Sequence, residues 1–493
     1  MKPKSSFLKK HFKNISKSPI FIALGVGLYP FVFYYSRNFG MINSWEQFGY
    51  FVLLFLLLPT VFFYALTYIS KLSFVSKWEK YLFPFFSVLL FLFYIKIILY
   101  ADIQRKVILG IFLLAVFAAY FLHKHFKKWI ILQLILAIIG FIGLVPTLMK
   151  YLNYSSTWME QPDNIKEVVF KKKPNIYYIQ PDGYASFSEM DSDFYKVDNS
   201  DFNSFLAEKN FKKYPDFRSN YITTISSNSA TFMMKHHFYN YGKDYSEMLH
   251  ARENIISENA VLSAFKNNGY KTHFITEHPY LLINRPKIGF DFINFEYNDV
   301  PYISTGFNVK KEVFPDLQRA IAEKSDTGNF FFIEIFEPGH VATSKAASKG
   351  KEAERDQWIE KLQLANTKLK KMIDLITVND PDALIIIMAD HGGFVGLDYT
   401  RQVYTKTTNP EIISTTFDAM LAIKWPNGDA PAIDSNFKSC INAFRILFSY
   451  LSENDSYLNH LQEDASYLIL KDGASPGVYK YVDGAGNVVF EKV

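Results

Sequence analysis

Residues 383–393 of the chain read ALIIIMADHGG, the most informative segment for the structure of the region around it. Its leading apolar run, rich in isoleucine, predicts a buried strand that gives way abruptly to Asp390 and His391. In open α/β sheets, ligands bind at the carboxyl ends of the strands. A carboxylate beside an imidazole, followed by glycines that let the backbone approach closely, suits a hard or borderline divalent metal ion. An ordinary turn would explain the glycines but not the histidine.

A second strand end has the same character. Residues 175–184 read NIYYIQPDGY, where a predicted strand at 175–179 is followed by Asp182. Asp-Gly is a common turn signal, so an ordinary turn is an equal alternative for Asp182 taken alone. Taken together, the two strand ends predict a metal site formed by Asp182, Asp390 and His391.

Strands and helices alternate through residues 174–493. Strands are predicted at 175–179, 270–276, 329–336 and before Asp390, and helices at 201–209, from Ser257 as N-cap to Gly269, at 313–323 and at 358–376. The last helix has an apolar repeat at intervals of three and four residues: Trp358, Leu362, Ala365, Leu369, Met372 and Ile376. The alternation predicts an α/β domain with a mainly parallel sheet, and the tail VYKYVDGAGNVVFEKV predicts a terminal β-hairpin.

The region before this domain predicts a helical membrane domain. Five apolar runs are separated by short polar loops, at 19–35, 48–69, 81–100, 107–122 and 129–149. Most have the roughly 17–25 residues needed to cross a bilayer, and 107–122 would have to stand nearly upright. Buried core helices are the alternative, which five consecutive and almost uncharged runs disfavour. We therefore expect a membrane domain at 1–150, a juxtamembrane linker at 151–173 and an extracytoplasmic domain at 174–493.

The basic loops alternate, which sets the predicted orientation. The second and fourth loops are basic, whereas the first and third carry only Arg37, then Arg105 and Lys106. The N-terminal segment is basic too, so it is expected in the cytoplasm, and five spans then place everything after Met149 outside. The basic residues are Lys2, Lys4, Lys9, Lys10, Lys13 and Lys17, then Lys71, Lys77 and Lys80, then Lys124, Lys127 and Lys128.

The charge and the cysteine content argue against a nucleic-acid-binding protein and against a disulfide-bonded domain. The net charge of +5 is largely explained by these loops, so it does not indicate nucleic-acid binding. The single cysteine, Cys440, excludes an intramolecular disulfide and is expected to be a small core residue. An exported domain here must therefore be held together by its core.

Hydroxyl side chains are concentrated at 219–232, SNYITTISSNSATF, before a helix-like FMMKHHF. A metal held by the two strand ends could activate one of these hydroxyls as a nucleophile. The residues alone do not choose among Thr223, Thr224, Ser226 and Ser227, and a loop that simply caps a helix is the alternative.

The ordered segments NIYYIQPDGYA, SNYITTISS, FFIEIFEPGHV, ALIIIMADHGG and INAFRILFSYL, following five spans, resemble sulfatase-like membrane hydrolases and transferases. These belong to the alkaline phosphatase superfamily, near the lipoteichoic acid synthases and phosphoethanolamine transferases. The resemblance implies that Asp182, Asp390 and His391 are metal ligands and that Thr224 is both a ligand and the nucleophile. It also places His340 in the catalytic site. Two departures are Gln180-Pro181 before Asp182 and the Pro-Gly-His-Val setting of His340.

The resemblance further implies a metal-dependent phosphotransferase or phosphodiesterase that works through a phospho-threonine. It would move a phospho-head group from a membrane lipid donor to a glycan or lipid acceptor of the cell envelope, with His340 protonating or orienting the leaving hydroxyl. We expect one divalent ion, Mn²⁺ or Mg²⁺ before Ca²⁺ or Zn²⁺. The alternatives are a sulfate-ester hydrolase, disfavoured because no C-x-P-S-R segment occurs, and a non-catalytic membrane protein that keeps the fold. His236, His237, His273 and His278 lack motif support and are expected to be structural or surface residues, although His278 follows a strand and could face the site.

Overall fold

A computed structural model describes residues 15–100, 103–241, 248–323 and 327–493. The chain divides into two compact units. One comprises the residues up to Tyr154 together with Pro301–Thr305, and the other comprises Ser155–Val300 and Gly306–Val493. The predicted basic residues Lys2, Lys4, Lys9, Lys10 and Lys13 lie outside the described residues.

The first unit is helical. Its helices are α1 (Pro19–Asn38), α2 (Trp45–Val52), α3 (Leu58–Ile69), α4 (Glu79–Leu99), α5 (Arg105–Leu122) and α6 (Phe126–Leu152). In the described residues they form four continuous apolar segments long enough to cross a membrane: Pro19–Met41, Trp45–Ile69, Ser76–Leu99 and Arg105–Met159. The fourth segment is 55 residues long and contains both α5 and α6, which the short helix His123–His125 joins. Each of the five predicted apolar runs therefore coincides with helix.

Large apolar side chains face outward on α5 and α6, among them Leu113, Phe117, Ile138 and Ile142. A soluble protein rarely exposes so much contiguous apolar surface, whereas lipid tails accommodate it without cost. Smaller residues face inward on the same helices, such as Ala115, Ala119 and Ala137. This pattern is that of a membrane-embedded bundle.

The second unit is an α/β domain, as predicted. Its helices are α7 (Ser200–Glu208), α8 (Thr224–Met233), α9 (Ala251–Ile256), α10 (Ala260–Asn267), α11 (Val313–Ala322), α12 (Lys351–Asn379), α13 (Pro410–Phe417) and α14 (Ala443–Ser452). Its strands are β1 (Ile176–Pro181), β2 (Phe211–Lys213), β3 (Lys271–Thr276), β4 (Phe292–Ile293), β5 (Asn329–Ile335), β6 (Leu384–Met388), β7 (Leu421–Lys424), β8 (Ser466–Leu470), β9 (Gly477–Val482) and β10 (Val488–Lys492).

Seven strands form one sheet in the order β2-β7-β6-β1-β5-β3-β4. The five strands from β6 to β4 are parallel, and only β7 and β2 add antiparallel pairings at one edge. The central strands β1, β5 and β6 are buried along their whole length, as expected for a sheet covered by helices on both faces. The terminal hairpin of β9 and β10 is also present, and β8 extends it to three antiparallel strands.

Two predicted helix boundaries are wrong. Ser257 does not cap the helix before Gly269; it ends α9, and the side chain of Asn259 caps α10 by accepting a hydrogen bond from the backbone N–H of Leu262 at 2.8 Å. The hydroxyl-rich segment is not a loop before a helix at 232–238. Most of it is helical, since α8 begins at Thr224 and ends at Met233, and only residues 219–223 precede the helix.

Candidate active site

Three neighbouring parallel strands bring the candidate residues to one edge of the sheet. Asp182 directly follows β1, and Asp390 follows its neighbour β6 after one residue. His340 lies in the loop after β5, on the other side of β1. The loops are tied together, because the Asp182 N–H donates to the Ile335 carbonyl at 2.9 Å and the Gly339 N–H donates to the Asp182 carbonyl at 2.8 Å.

Asp182, Asp390 and His391 form a buried cluster in which one possible ligand atom from each lies within 4.8 Å of the others. Nε2 of His391 lies 3.4 Å from Oδ1 of Asp182 and 3.4 Å from Oδ2 of Asp390. The backbone N–H of Gly183 donates to Oδ1 of Asp390 at 3.2 Å. The predicted metal ligands therefore converge on one point.

The atoms of this cluster fit a cation. Oδ2 of Asp390 is buried and accepts no hydrogen bond from the described residues, although a buried carboxylate oxygen normally has a partner. Nδ1 of His391 lies 2.9 Å from the Gly392 carbonyl, which can only accept, so Nδ1 carries a proton and Nε2 is the ring nitrogen left to bind a cation. Two carboxylates and this nitrogen are a plausible ligand set for a divalent metal.

The charge balance of the cluster also favours a bound cation. Burial raises the pKa of Asp182, and burial raises the pKa of Asp390 to about 6, with only partial relief from His391 in each case. Burial lowers the pKa of His391, but the two carboxylates outweigh that effect and leave it raised. Two carboxylates confined with one imidazole are thus short of positive charge, which a divalent cation would supply.

Of the four candidate hydroxyl residues, Thr224 is the one that makes a hydrogen bond to this cluster. Its Oγ1 donates a hydrogen bond to Oδ1 of Asp182 at 3.3 Å. Thr223 is instead the N-cap of α8, with its Oγ1 accepting from the Ser226 N–H at 3.4 Å. The Ser226 hydroxyl is bonded back to the Thr223 carbonyl at 3.1 Å, and Ser227 is buried. Thr224 therefore stands at the first position of a helix, where backbone N–H groups and the helix dipole favour an anion.

Glycine at two positions of the strand ends is required by space. Gly183 has a φ of +63°, and a Cβ there would collide with the carbonyl of Gly339. A Cβ on Gly392 would likewise collide with the carbonyl of Thr415. The glycines after the two aspartates thus allow other backbone segments to close around the cluster.

His340 lies beside the cluster and lines the same cavity as Asp182, Thr224 and His391. Its ring centre is 6.0 Å from that of His391. Nδ1 of His340 donates to the Val341 carbonyl at 2.7 Å, which leaves Nε2 as an acceptor. Burial lowers the pKa of His340, and the neighbouring His391 lowers it further, so the ring is neutral at rest.

Two side chains of α12 hold the loop that carries His340. Trp358 on α12 donates its indole N–H to the Gly339 carbonyl at 2.9 Å. Lys368, also on α12, binds Glu337 at 2.5 Å and the buried Glu277, which in turn accepts the Phe336 N–H at 2.9 Å. The sequence marked Trp358 only as a core residue, and nothing in it signalled the ion-pair cluster.

The cluster opens into a cavity of about 460 Å³. One wall is aromatic, where Tyr280, Phe307 and Phe336 pack with ring centres 5.1 to 6.4 Å apart. Another wall carries Arg401 and Lys471. Sequence reasoning missed all five residues, because they come from separate loops and belong to no motif that we recognised.

The other four histidines considered in the sequence, and the cysteine, do not line the cavity. His236 and His237 are buried behind α8, where Nε2 of His237 donates to the Ser226 carbonyl at 2.9 Å. His273 lies on β3 and bonds to Asn329 at 3.2 Å. His278 packs against Phe307 and Phe336 and donates to the Val309 carbonyl at 2.7 Å. Cys440 is buried, with its thiol 3.6 Å from the Ala389 carbonyl.

Comparisons with known proteins return structural neighbours only, since no family model and no curated protein matches the chain. The C-terminal periplasmic domain of EcEptC from Escherichia coli is 12% identical, with a TM-score of 0.42 over 64% of this chain and 96% of that one. A second structure of that domain is a complex with zinc.

Two further neighbours extend this set. Lipooligosaccharide phosphoethanolamine transferase A, an integral membrane protein from Neisseria meningitidis, is 14% identical, with a TM-score of 0.41 over 89% of this chain and 95% of that one. BT33494S-sulf, from a glycosaminoglycan locus of Bacteroides thetaiotaomicron, is 11% identical, with a TM-score of 0.43 over 65% and 89%. The neighbours are phosphoethanolamine transferases and sulfatases, the kinds of enzyme that the sequence resembles. These scores are too low to assign an activity, which therefore rests on the geometry of the site.

Proposed function

We propose that the chain is a metal-dependent, membrane-anchored phosphotransferase or phosphodiesterase that acts through a phospho-threonine on Thr224. The substrate is a phosphodiester head group of a membrane lipid, and the acceptor is a hydroxyl of a cell-envelope glycan or lipid, or water. The observation that carries this proposal is the hydrogen bond from the Thr224 hydroxyl into the Asp182, Asp390 and His391 cluster.

The chemistry of the first step follows from this placement. Asp182, Asp390, His391 and the Thr224 hydroxyl would hold one divalent ion, which would lower the pKa of that hydroxyl and stabilise charge on the phosphoryl oxygens. The Thr224 oxygen attacks phosphorus, a new P–O bond forms and the bond to the leaving oxygen breaks. The proton lost by Thr224 ends on the leaving oxygen. We assign the relay of this proton to His340, because it lines the same cavity and its Nε2 can accept a proton.

The second step reverses the first with a new alcohol. The acceptor hydroxyl, or water, attacks the phospho-threonine, and its proton returns through His340 to the Thr224 oxygen. A relay that is neutral at rest suits this role better than a permanently protonated acid, so the lowered pKa of His340 refines the role expected from the sequence.

Threonine favours phosphorus over sulfur as the target. Sulfatases need a Cys or Ser that is converted to formylglycine, and the residue in contact with Asp182 is a threonine. Cys440 is buried in the core and does not line the cavity. The ligand set, rich in oxygen with one nitrogen, favours Mn²⁺ or Mg²⁺ over Zn²⁺ or Ca²⁺.

A comparison of two ester classes tests the proposal. The full chain in detergent is assayed with 4-nitrophenyl phenyl phosphate and with 4-nitrophenyl sulfate, in the presence of Mn²⁺. We expect turnover of the phosphodiester that Thr224→Ala abolishes and little turnover of the sulfate. Preferential turnover of the sulfate, or phosphodiester turnover that survives in Thr224→Ala, would contradict the proposal.

A further inference from the structure

The cavity beside the candidate metal ligands has an uneven distribution of charge. Arg401 and Lys471 line it, whereas Asp182 is the one carboxylate among its described lining residues. Because Asp182 belongs to the candidate metal cluster, the lining residues that the structure describes offer no further acidic side chain to a positively charged part of a substrate. The wall formed by Arg401 and Lys471 is therefore suited to a negative one.

The two cations are brought together by backbone pairing between distant segments. Arg401 lies in the short helical turn Thr400–Tyr404, and Lys471 directly follows β8. The backbone N–H of Lys471 donates to the Tyr404 carbonyl at 2.8 Å, and Thr405 pairs with Asp472. The Lys471 ammonium then lies over the Tyr404 ring, 4.5 Å from its centre.

No carboxylate neutralises the guanidinium in the part of the chain that the structure describes, where Arg401 makes no ion pair. The charge of Arg401 acts on Lys471: burial lowers the pKa of Lys471, Arg401 lowers it further, and Asp472 offsets part of the effect. Two like charges that face one cavity repel each other in the free protein. A bound anion removes that cost and gains charge-assisted hydrogen bonds to both residues.

We propose that Arg401 and Lys471 form an anion subsite, so that the substrate carries a second phosphate or carboxylate besides the phosphodiester attacked by Thr224. This inference rests on the proposed function, and it names the class of substrate. Among the described lining residues, the terminal ammonium of a zwitterionic head group would find the aromatic wall but no carboxylate outside the metal cluster.

Matched phosphodiesters with one common leaving group test the subsite. We would measure kcat/KM for phosphodiesters that carry one 4-nitrophenyl group and one second aryl group. The second group is phenyl, 4-carboxyphenyl, 4-phosphonophenyl or 4-trimethylammoniophenyl. The wild-type chain should favour at least one anionic ester over the phenyl ester by about tenfold, the effect of one charge-assisted contact. The carboxylate and phosphonate arms show which anion is preferred, and the ammonium ester should be the poorest.

Variants connect this preference to the two residues. Arg401→Gln and Lys471→Gln should each bring the ratio of anionic to phenyl ester toward one. Lys406→Gln is the matched control, since Lys406 is an exposed cation of the same segment that stacks on Phe490 and does not line the cavity; it should keep the wild-type ratio. A wild-type ratio near one, a preference for the ammonium ester, or a ratio unchanged in both variants would overturn the subsite.

Binding separates this inference from the proposed function. If none of the esters is turned over, the dissociation constants of methyl 4-carboxyphenyl, methyl 4-phosphonophenyl and methyl phenyl phosphate are measured by calorimetry with Thr224→Ala, alone and combined with Arg401→Gln. Tighter binding of either anionic ligand that Arg401→Gln removes would support the subsite although the catalytic proposal had failed. Equal binding of all three ligands would overturn it.

Discussion

Thr223 and Thr224 are adjacent in the sequence, yet their hydroxyl groups have different tasks. Helix α8 begins between them, so Thr223 has extended backbone angles and caps the helix, whereas Thr224 turns toward Asp182. Residue types alone could not separate four neighbouring hydroxyls, because all have the same chemistry. The exact start of the helix decides the matter, and helix boundaries are what sequence patterns define least well.

Alanine substitutions at the two threonines should differ in their effect: Thr224→Ala should mainly lose activity, and Thr223→Ala should mainly lose stability. Thr224→Ala should cut phosphodiester turnover by about a thousandfold or more, because the covalent route disappears, while its unfolding free energy stays within about 1 kcal/mol of wild type. Thr223→Ala should cost about 1 kcal/mol of stability through the lost cap and keep turnover within about tenfold. Denaturant unfolding and kcat measured on the same preparations check both. Equal loss of activity in the two variants would argue against the assignment of Thr224.

The ligand cluster should respond to metal removal in a manner independent of catalysis. Chelation of the metal should lower the melting temperature, and Mn²⁺ at about 100 times its dissociation constant should restore about 2.7 kcal/mol. Asp390→Asn should weaken this response, since it replaces a charged ligand with a neutral one, whereas Thr224→Ala should keep most of it. Metal content by mass spectrometry is the second readout. A full Mn²⁺ response in Asp390→Asn would remove Asp390 from the ligand set.

At the scale of elements, the sequence predicted the parts with strong periodicity. The apolar repeat of α12 and the buried strands β1, β3, β5 and β6 follow directly from residue patterns. The short antiparallel strands β2 and β7 were missed because three or four residues do not establish a period. Ser257 and Asn259 are both good N-cap residues, and only tertiary packing determines which one caps α10.

The segment behind α8 should make the domain sensitive to acid. His236 and His237 are buried, and burial lowers the pKa of His236 from 6.5 to about 4 and that of His237 from 6.5 to about 3. Nδ1 of His237 accepts the Tyr239 N–H at 2.8 Å while Nε2 donates to Ser226, so the neutral ring is the one that fits.

The sign of the pH effect follows from these shifts. The unfolded chain binds protons below pH 6.5 and the folded chain does not, so stability is complete above pH 6.5 and is lost as the pH falls toward 4. Each histidine should contribute about 1.4 kcal/mol per pH unit in that window. Between pH 7.5 and 4.5, the melting temperature should therefore fall less steeply with pH in His237→Gln than in wild type. An identical slope in the two proteins would show that His237 is not buried in its neutral form.

At the scale of the whole molecule, the sequence supplied the helical first unit, the α/β second unit and the terminal hairpin. It could not supply the shape of the cavity. Tyr280, Phe307, Arg401 and Lys471 meet there because of loop paths that no local pattern encodes. Asp182, Asp390 and His391 could be predicted because strand ends collect at one edge of a parallel sheet, whatever the loops do.

Orientation in the membrane is a prediction from the basic loops, and cysteine labelling of intact cells tests it. Lys77→Cys should react with a membrane-impermeant maleimide only after the cells are opened, whereas Lys345→Cys in the second unit should react from outside. Both lysines are exposed. The native Cys440 is buried and gives little background. Labelling of Lys77→Cys in intact cells would reverse the orientation and place the second unit in the cytoplasm.

The proposed mechanism depends on a covalent bond between phosphorus and Thr224. The most direct measurement is peptide mass spectrometry of the full chain, quenched in acid within seconds of mixing with 4-nitrophenyl phenyl phosphate and Mn²⁺. We expect a phenylphosphoryl adduct on the peptide that spans 219–235, with fragment ions placing it on Thr224 and no adduct in Thr224→Ala. An adduct on another residue, or turnover in which no adduct forms while Thr224→Ala remains active, would contradict the proposed mechanism.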